Sequence, residues 1–202
     1  EIKEFILKHK INIIIDATHP FAINISKNLI SACRDIPLPF FRFERISQYK
    51  SNIEIISNFE GINPYGIKNK NILLAIGSRE LDEVARFYSD LGANIFARII
   101  ATPQSISKAF SSCINHSKLA ILNPSNSKRN NLEYYLCKYW KIDYILCRDS
   151  GGYSQIIWDD ICLQSKIKLY ILRRPKVETN ALIFSQYDDL IKNIIQLQNR
   201  IF

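Results

Sequence analysis

The 202-residue sequence contains no methionine and only six glycines. A gene-encoded chain begins with methionine, and initiator removal normally requires a small second residue, so we expect Glu1 to lie inside a longer product. The glycines form no G-x-G-x-x-G pattern, which is the usual fingerprint of a dinucleotide-binding turn. That fingerprint is therefore excluded from these residues.

Cysteine pairs and long apolar runs are also missing. The five cysteines are scattered, include no C-x-x-C pair and are odd in number, which excludes a zinc ribbon and a disulfide framework. No apolar run approaches the roughly 20 residues that cross a bilayer. Residues 1–10 alternate in charge, unlike a signal peptide. We therefore predict a cytoplasmic protein with reduced thiols, no membrane partner and no metal site.

The net charge is +8, and two interpretations of it stay open. The excess of lysine is typical of AT-rich coding and of a solvated surface. Alternatively, the charge attracts an anionic partner. The lysines are not interleaved with aromatic residues as in RNA-recognition motifs, so nucleic acid is disfavoured. Arginines follow predicted strand ends, where their forks could bind carboxylates: Arg42, Arg45, Arg79, Arg98, Arg148, Arg173 and Arg174.

Apolar runs of strand length alternate with segments of helical periodicity along the whole chain. The alternation predicts an α/β fold with parallel sheets covered by helices on both faces. The turn-rich stretch 58–71 is the predicted domain boundary, which gives a first domain over residues 1–66 and a second over residues 67–202. The predicted strands are 11–15, 38–44, 53–57, 72–76, 93–100, 119–122, 144–147 and 169–172.

The most informative segment runs from Asp16 to Ala22, with the sequence Asp-Ala-Thr-His-Pro-Phe-Ala. It lies between a predicted buried strand and a predicted helix over 24–36. In open α/β sheets, ligands bind at the carboxyl ends of strands, and helix amino termini favour anions. Asp16, Thr18 and His19 therefore lie where a site is expected.

This segment begins a series of motifs that resembles the precorrin-6A reductase family of cobalamin biosynthesis. The series continues with Ser26 and Asn28, and the similarity extends to about Pro175. The later motifs occur in the same order as in the family: Arg42-Phe43-Glu44-Arg45, Ile76-Gly77-Ser78-Arg79-Glu80-Leu81, Phe96-Ala97-Arg98, Asp149-Ser150-Gly151-Gly152 and Arg173-Arg174-Pro175.

The resemblance implies two Rossmann-like parallel-sheet domains with a cleft between them. It also implies NADPH as cofactor and a polyacidic corrin precursor as substrate. In the reaction, a hydride and a proton would reduce one double bond of precorrin-6A, or of its cobalt-containing counterpart, to give precorrin-6B. The family's opening strand and Gly-Gly-Thr turn are not matched, so we expect the first domain to be incomplete at its amino terminus.

The resemblance also implies the site residues. The predicted cofactor contacts are Thr18, His19, Pro20, Ser150, Gly151 and Gly152. The predicted substrate contacts are Arg42, Arg45, Arg79, Arg98, Arg148 and Arg174. His19 is the candidate proton donor, and Asp16 is expected to organise its loop. Residues 123–126 are expected to form a ligand-facing turn.

Structural alternatives stay open for each of these motifs. The turns at residues 16–22 and 150–152 could simply connect a strand to a helix. Arg42 and Arg45 could form solvated salt bridges at the edge of a sheet. Two other functions also stay open: a protein of the same fold that binds a tetrapyrrole without turnover and, less favoured, a nucleic-acid-binding protein. The oligomeric state is not determined by the sequence.

Overall fold

The computed structural model describes residues 1–49, 53–123, 132–176 and 181–201. The chain forms two compact units, and the sequence of the second interrupts that of the first. The first unit combines Glu1–Ser47 with Arg174–Phe202, and the second consists of Gln48–Arg173.

The first unit contains a three-stranded parallel sheet in the order β1-β2-β9. Its elements are α1 (Ile2–Lys8), β1 (Ile14–Asp16), α2 (Ile23–Asp35), β2 (Phe40–Phe43), β9 (Leu182–Phe184) and α7 (Tyr187–Ile201). Buried Ile6 of α1, Ile14 of β1 and Ala32 and Cys33 of α2 form its core. The alternating burial of β1 leaves one of its faces against this core, as expected for a strand with helices on one side.

The second unit contains a six-stranded parallel sheet in the order β3-β8-β7-β4-β5-β6. Its strands are β3 (Ile53–Ile56), β4 (Asn71–Ala75), β5 (Asn94–Ile99), β6 (Leu119–Ile121), β7 (Tyr144–Arg148) and β8 (Lys168–Leu172). Its helices are α3 (Leu81–Asp90), α4 (Pro103–Phe110), α5 (Leu132–Tyr139) and α6 (Tyr153–Ser165), with short 3-10 turns at Phe59–Gly61, Pro64–Gly66 and His116–Lys118.

The central strands of this sheet are almost wholly buried because helices cover both faces. Ile145 and Leu146 of β7 and Leu169 of β8 are each 0% exposed. Trp158 and Ile161 of α6 pack on the same core. Burial on both faces explains why these strands are continuous apolar runs instead of alternating ones.

Local sequence signals set the ends of the helices. Thr102 caps α4 through its Oγ1, which accepts a hydrogen bond from the N–H of Ser105 at 3.2 Å, and Pro103 occupies the first helical turn. Gly92 follows α3 with a φ of +85°, a left-handed conformation that glycine adopts without a steric penalty.

The predicted α/β class with parallel sheets is confirmed. The compact units, however, differ from the predicted division at residues 66 and 67. β3 pairs with β8 and so belongs to the second unit, whereas β9 pairs with β2 and returns the end of the chain to the first. Composition shifts mark loops but carry no information on which strands pair. β9 itself was not predicted, because it has only three residues and two of them are exposed.

Among the described residues, no helix is both long enough and apolar enough to cross a membrane.

The buried centre of the second sheet predicts a large penalty for truncating Leu146. Leu146→Ala should lower the free energy of unfolding by about 2–5 kcal/mol, because the lost methyl groups leave a cavity between sheet and helix. Leu163→Ala is the matched control, since Leu163 of α6 is 52% exposed. Urea titration followed by circular dichroism measures both values, and equal losses would contradict the assigned core.

Candidate functional site

The turn after β1 is fixed by the carboxylate of Asp16, the last residue of that strand. Its Oδ1 accepts hydrogen bonds from the N–H of Thr18 at 3.0 Å and from Thr18 Oγ1 at 2.6 Å. Asp16 is buried, so these contacts are protected from water. Short side-chain-to-backbone bonds of this kind close a turn and redirect the chain, here from β1 toward α2.

Arg42 holds the other side of the Asp16 carboxylate. It lies opposite Asp16 in the register between β1 and β2 and is only 2% exposed. Its Nη1 donates to Asp16 Oδ2 and to Ser26 Oγ, the latter at 2.8 Å, and its Nε donates to Glu44. One guanidinium therefore joins β1, β2 and α2 behind the turn.

The surroundings of Asp16 keep it ionised. Burial by itself would raise its pKa, but hydrogen bonds from Ser26 and Thr18 and the positive charge of Arg42 outweigh that effect and lower the pKa below its ordinary value. The carboxylate is therefore a permanent acceptor for the Thr18 N–H near neutral pH.

His19 and Pro20 form the outer part of this turn. Pro20 is buried and His19 is exposed. The Nδ1 of His19 accepts a hydrogen bond from the N–H of Phe21 at 3.2 Å, so the neutral imidazole carries its proton on Nε2. The carbonyl of His19 also accepts from the N–H of Ala22 at 2.7 Å. The ring of His19 is thus held by the backbone of Phe21, and the carbonyl of His19 by that of Ala22.

A second turn connects β7 to α6 in the other unit. Gly151 has a φ of +59°, and its N–H donates to Gln155 Oε1 at 2.8 Å. The N–H of Gly152 donates to Ser150 Oγ at 3.2 Å. All three turn residues are partly exposed. The glycine at the left-handed position lets the backbone bend without placing a side chain over the turn.

The two helices that follow these turns begin with uncompensated positive ends. Ala22 before α2 and Gly152 before α6 provide no side-chain cap, and neither helix has an acidic residue in its first turn. By contrast, α3 begins with Asp82 and Glu83, and α4 is capped by its threonine. Backbone N–H groups that lack caps and acidic neighbours favour an anionic ligand.

The arginines predicted to bind substrate fall into exposed and buried groups. Arg45 and Arg79 are exposed, whereas Arg148 and Arg174 are partly buried. Arg148 Nη2 donates to Glu80 Oε2 at 2.9 Å, beside the turn at Gly77 that follows β4. Arg174 Nη1 donates to the carbonyl of Arg45 at 2.7 Å.

Arg98 is 8% exposed and lies 3.5 Å from a carboxylate oxygen of Glu133, which is also buried. Burial lowers the pKa of its guanidinium, and the neighbouring carboxylate partly opposes that shift. The positions of Arg42 and Arg98 argue against the predicted direct contacts with substrate, because both side chains are buried and paired inside the protein.

Within each unit, the structure brings some of the predicted residues together. Thr18, His19, Pro20 and Arg42 share the end of β1, and Arg45 is joined to Arg174. Ser150, Gly151, Gly152 and Arg148 share the end of β7. Arg79 follows β4, the neighbour of β7 in the same parallel sheet. Of the predicted turn at 123–126, Asn123 accepts a hydrogen bond from the N–H of Ala101, and residues 124–126 lie outside the described residues.

Three side chains that bind Arg42 or Gly151 were not among the predicted site residues: Ser26, Glu44 and Gln155. Ser26 and Glu44 stood within the matched motifs but had no assigned role. Gln155 carries no motif signal, and only its hydrogen bond to Gly151 reveals its place in the second turn.

Comparison with known proteins gives a consistent result. A family model described as Precorrin-6x reductase CbiJ/CobK matches residues 1–194. A Cobalt-precorrin-6A reductase of Methanocaldococcus jannaschii is 30% identical over 98% of this chain and 78% of its own length. Another from Synechocystis sp. is 26% identical over 87% of this chain and 68% of its own length. The solved structure of a CobK precorrin-6A reductase has a similar fold, with a TM-score of 0.77 and 15% identity over 96% of this chain and 77% of that chain.

The buried position of Arg42 predicts that it matters more for stability than its exposed neighbour. Arg42→Met should lower the free energy of unfolding by about 3–5 kcal/mol, because it leaves the carboxylate of Asp16 buried without its ionic partner. Arg45→Met, at an exposed site, should change it by no more than about 0.5 kcal/mol. Denaturant titration of both variants measures the difference, and equal effects would disprove the assigned role of Arg42.

The lowered pKa of Asp16 predicts a pH-dependent contribution to stability. Because the folded-state pKa is depressed, the contribution is complete above the ordinary carboxyl pKa of about 4 and is lost as the pH falls through the folded-state value. The difference in unfolding free energy between wild type and Asp16→Asn should therefore be largest above about pH 5 and shrink below about pH 4. Urea titrations across this range measure it, and a constant difference would refute the prediction.

Proposed function

Since the chain belongs to the Precorrin-6x reductase CbiJ/CobK family, we propose that it reduces precorrin-6A, or its cobalt-containing counterpart, to precorrin-6B with NADPH in corrin ring biosynthesis. The observation that carries the proposal is the family match across residues 1–194. The curated relatives are named Cobalt-precorrin-6A reductase, which favours the cobalt-containing substrate. All five cysteines are free thiols, which supports a cytoplasmic location.

The residues of both turns fit parts of NADPH. The unneutralised starts of α2 and α6 suit its phosphate groups, and Gly151 lets a ligand approach the backbone. We assign cofactor contacts to Thr18 and His19 at the first turn, which the buried Pro20 supports, and to Ser150, Gly151 and Gly152 at the second. The first turn is preorganised by the Asp16 contacts, which reduces the conformational freedom lost when a ligand binds.

The cofactor supplies a hydride, and one proton added to the ring system completes the two-electron reduction of a double bond. No protein nucleophile is needed for this reaction, so the chain's task is alignment and charge complementarity. Because Nδ1 of His19 accepts the Phe21 N–H, its Nε2–H is the ring group that could orient an amide of the cofactor or donate the proton. The buried Asp16 keeps the loop of His19 in place and takes no part in proton transfer.

The substrate carries several carboxylate arms, for which arginine forks are suited. We propose Arg45, Arg79, Arg148 and Arg174 as the residues that bind them, because these arginines are exposed or partly exposed. Arg42 and Arg98 would instead support the site from inside the protein.

The decisive assay uses the full-length gene product with NADPH and either precorrin-6A or the cobalt-containing form under anaerobic conditions. Loss of NADPH absorbance together with a product two hydrogens heavier supports the proposal. A protein that binds the macrocycle but does not oxidise NADPH would instead be a tetrapyrrole-binding protein. A protein that binds neither molecule would refute the proposal.

His19 should be important for turnover. His19→Gln should lower kcat/KM by at least about tenfold, since the amide cannot reproduce both the Phe21 contact and an N–H at the position of Nε2. His116→Gln is the matched control, because His116 is exposed beside the Phe110 ring and has no assigned role. Steady-state rates of both variants test this, and a His19→Gln enzyme with wild-type kcat/KM would exclude the role.

A further inference from the structure

Gln155 is a buried polar residue in α6 that the proposed mechanism does not use. It is 3% exposed, yet it lies only one helical turn from the partly exposed Gly151. Its Oε1 accepts the N–H of Gly151 at 2.8 Å. Because an N–H needs an acceptor, this contact fixes which end of the side-chain amide faces the turn.

The other end of the same amide is unsatisfied. Among the described residues, the buried Nε2 of Gln155 has no hydrogen-bond partner. Buried donors without an acceptor are rare and destabilise a fold, so such a group requires an explanation. An apolar side chain of the same length would avoid this cost, and stability alone therefore does not account for glutamine at this position.

The explanation lies in the conformation of Gly151. Its φ of +59° places it in the left-handed region, and the neighbouring Gly152 N–H donates to Ser150 Oγ. The bond from Gly151 to Gln155 ties this turn to the first turn of α6. The N–H groups of Tyr153 and Ser154 precede the first helical hydrogen bonds, which Gln155 and Ile156 donate to the carbonyl of Gly152.

We propose that Gln155 is a positioning residue that acts through Gly151 to hold the 150–152 turn in the shape that binds the cofactor. This inference rests on the proposed function, because it takes that turn to contact NADPH. Gln155 itself is buried beneath the turn and makes no direct contact with the ligand. The fold tolerates one unsatisfied amide group because the same side chain preorganises the binding turn.

The test variant is Gln155→Met, which keeps the length of the side chain and removes both hydrogen-bonding ends. Glutamate is less suitable, because it would place a carboxylate at a position that is only 3% exposed. The control is Gln164→Met on the exposed face of the same helix.

For the full-length protein, Gln155→Met should raise the Kd for NADPH by about fivefold or more, measured by fluorescence titration. Its Tm should stay within about 3 °C of wild type, because the unsatisfied donor is removed and the N–H of Gly151 can bond to water. Gln164→Met should leave the Kd unchanged. A fall in Tm with an unchanged Kd would show a merely structural role and overturn the proposal.

A double-mutant cycle with Gly151→Ala tests whether the effect passes through the turn. If it does, the double variant should have a Kd no higher than that of the weaker-binding single variant. Effects that multiply would overturn the proposal. A wild-type protein that fails to bind NADPH would refute the proposed function as well, whereas wild-type binding with an unaffected Gln155→Met variant would refute only the role of Gln155.

Discussion

The ion pair between Asp16 and Arg42 joins the ends of two neighbouring parallel strands, and both side chains are buried. A buried pair of this kind adds little net stability over apolar residues of the same size, because both charges must leave water. Its effect is geometric. Arg42 binds the Asp16 carboxylate, and the carboxylate binds the N–H and hydroxyl of Thr18. The exposed His19 is the next residue in this turn. The shape of the loop that carries the candidate proton donor thus depends on a charge pair behind it.

The second turn has a comparable arrangement made from neutral groups. Gly151 bends the chain, and Gln155 binds its N–H from beneath. In both units, the following helix starts without a cap or an acidic residue, so its positive end is available to an anion. Two parallel sheets have therefore placed the same kind of feature at the carboxyl end of a strand. The buried side chains behind the turns differ: the first turn rests on the charged pair Asp16–Arg42, and the second on the neutral Gln155.

Each sheet contains a pairing between strands that are distant in the sequence. β3 precedes the second sheet's main run of strands, yet it pairs with β8, more than one hundred residues later. The end of the chain returns to the first sheet as β9. Each sheet is complete only when its own long-range pairing has formed. Pairing of this kind costs chain entropy before any contact forms, which favours slow folding of long-range parallel sheets.

The sequence by itself determined the fold class, most of the strands and the two turns. These follow from apolar runs that end in Asp16-Ala-Thr-His-Pro and in Ser150-Gly-Gly, and such local patterns dictate local structure. Only the tertiary structure decided which unit β3 and β9 belong to, because pairing depends on contacts between distant segments. The same holds for the arginines. Arg42 and Arg45 are three residues apart in one motif, but one is buried against Asp16 and the other is exposed. The periodicity of a four-residue strand does not show which residue of the neighbouring strand it faces. Arg42 is buried because it faces the carboxylate of Asp16, and that pairing is a contact between distant segments.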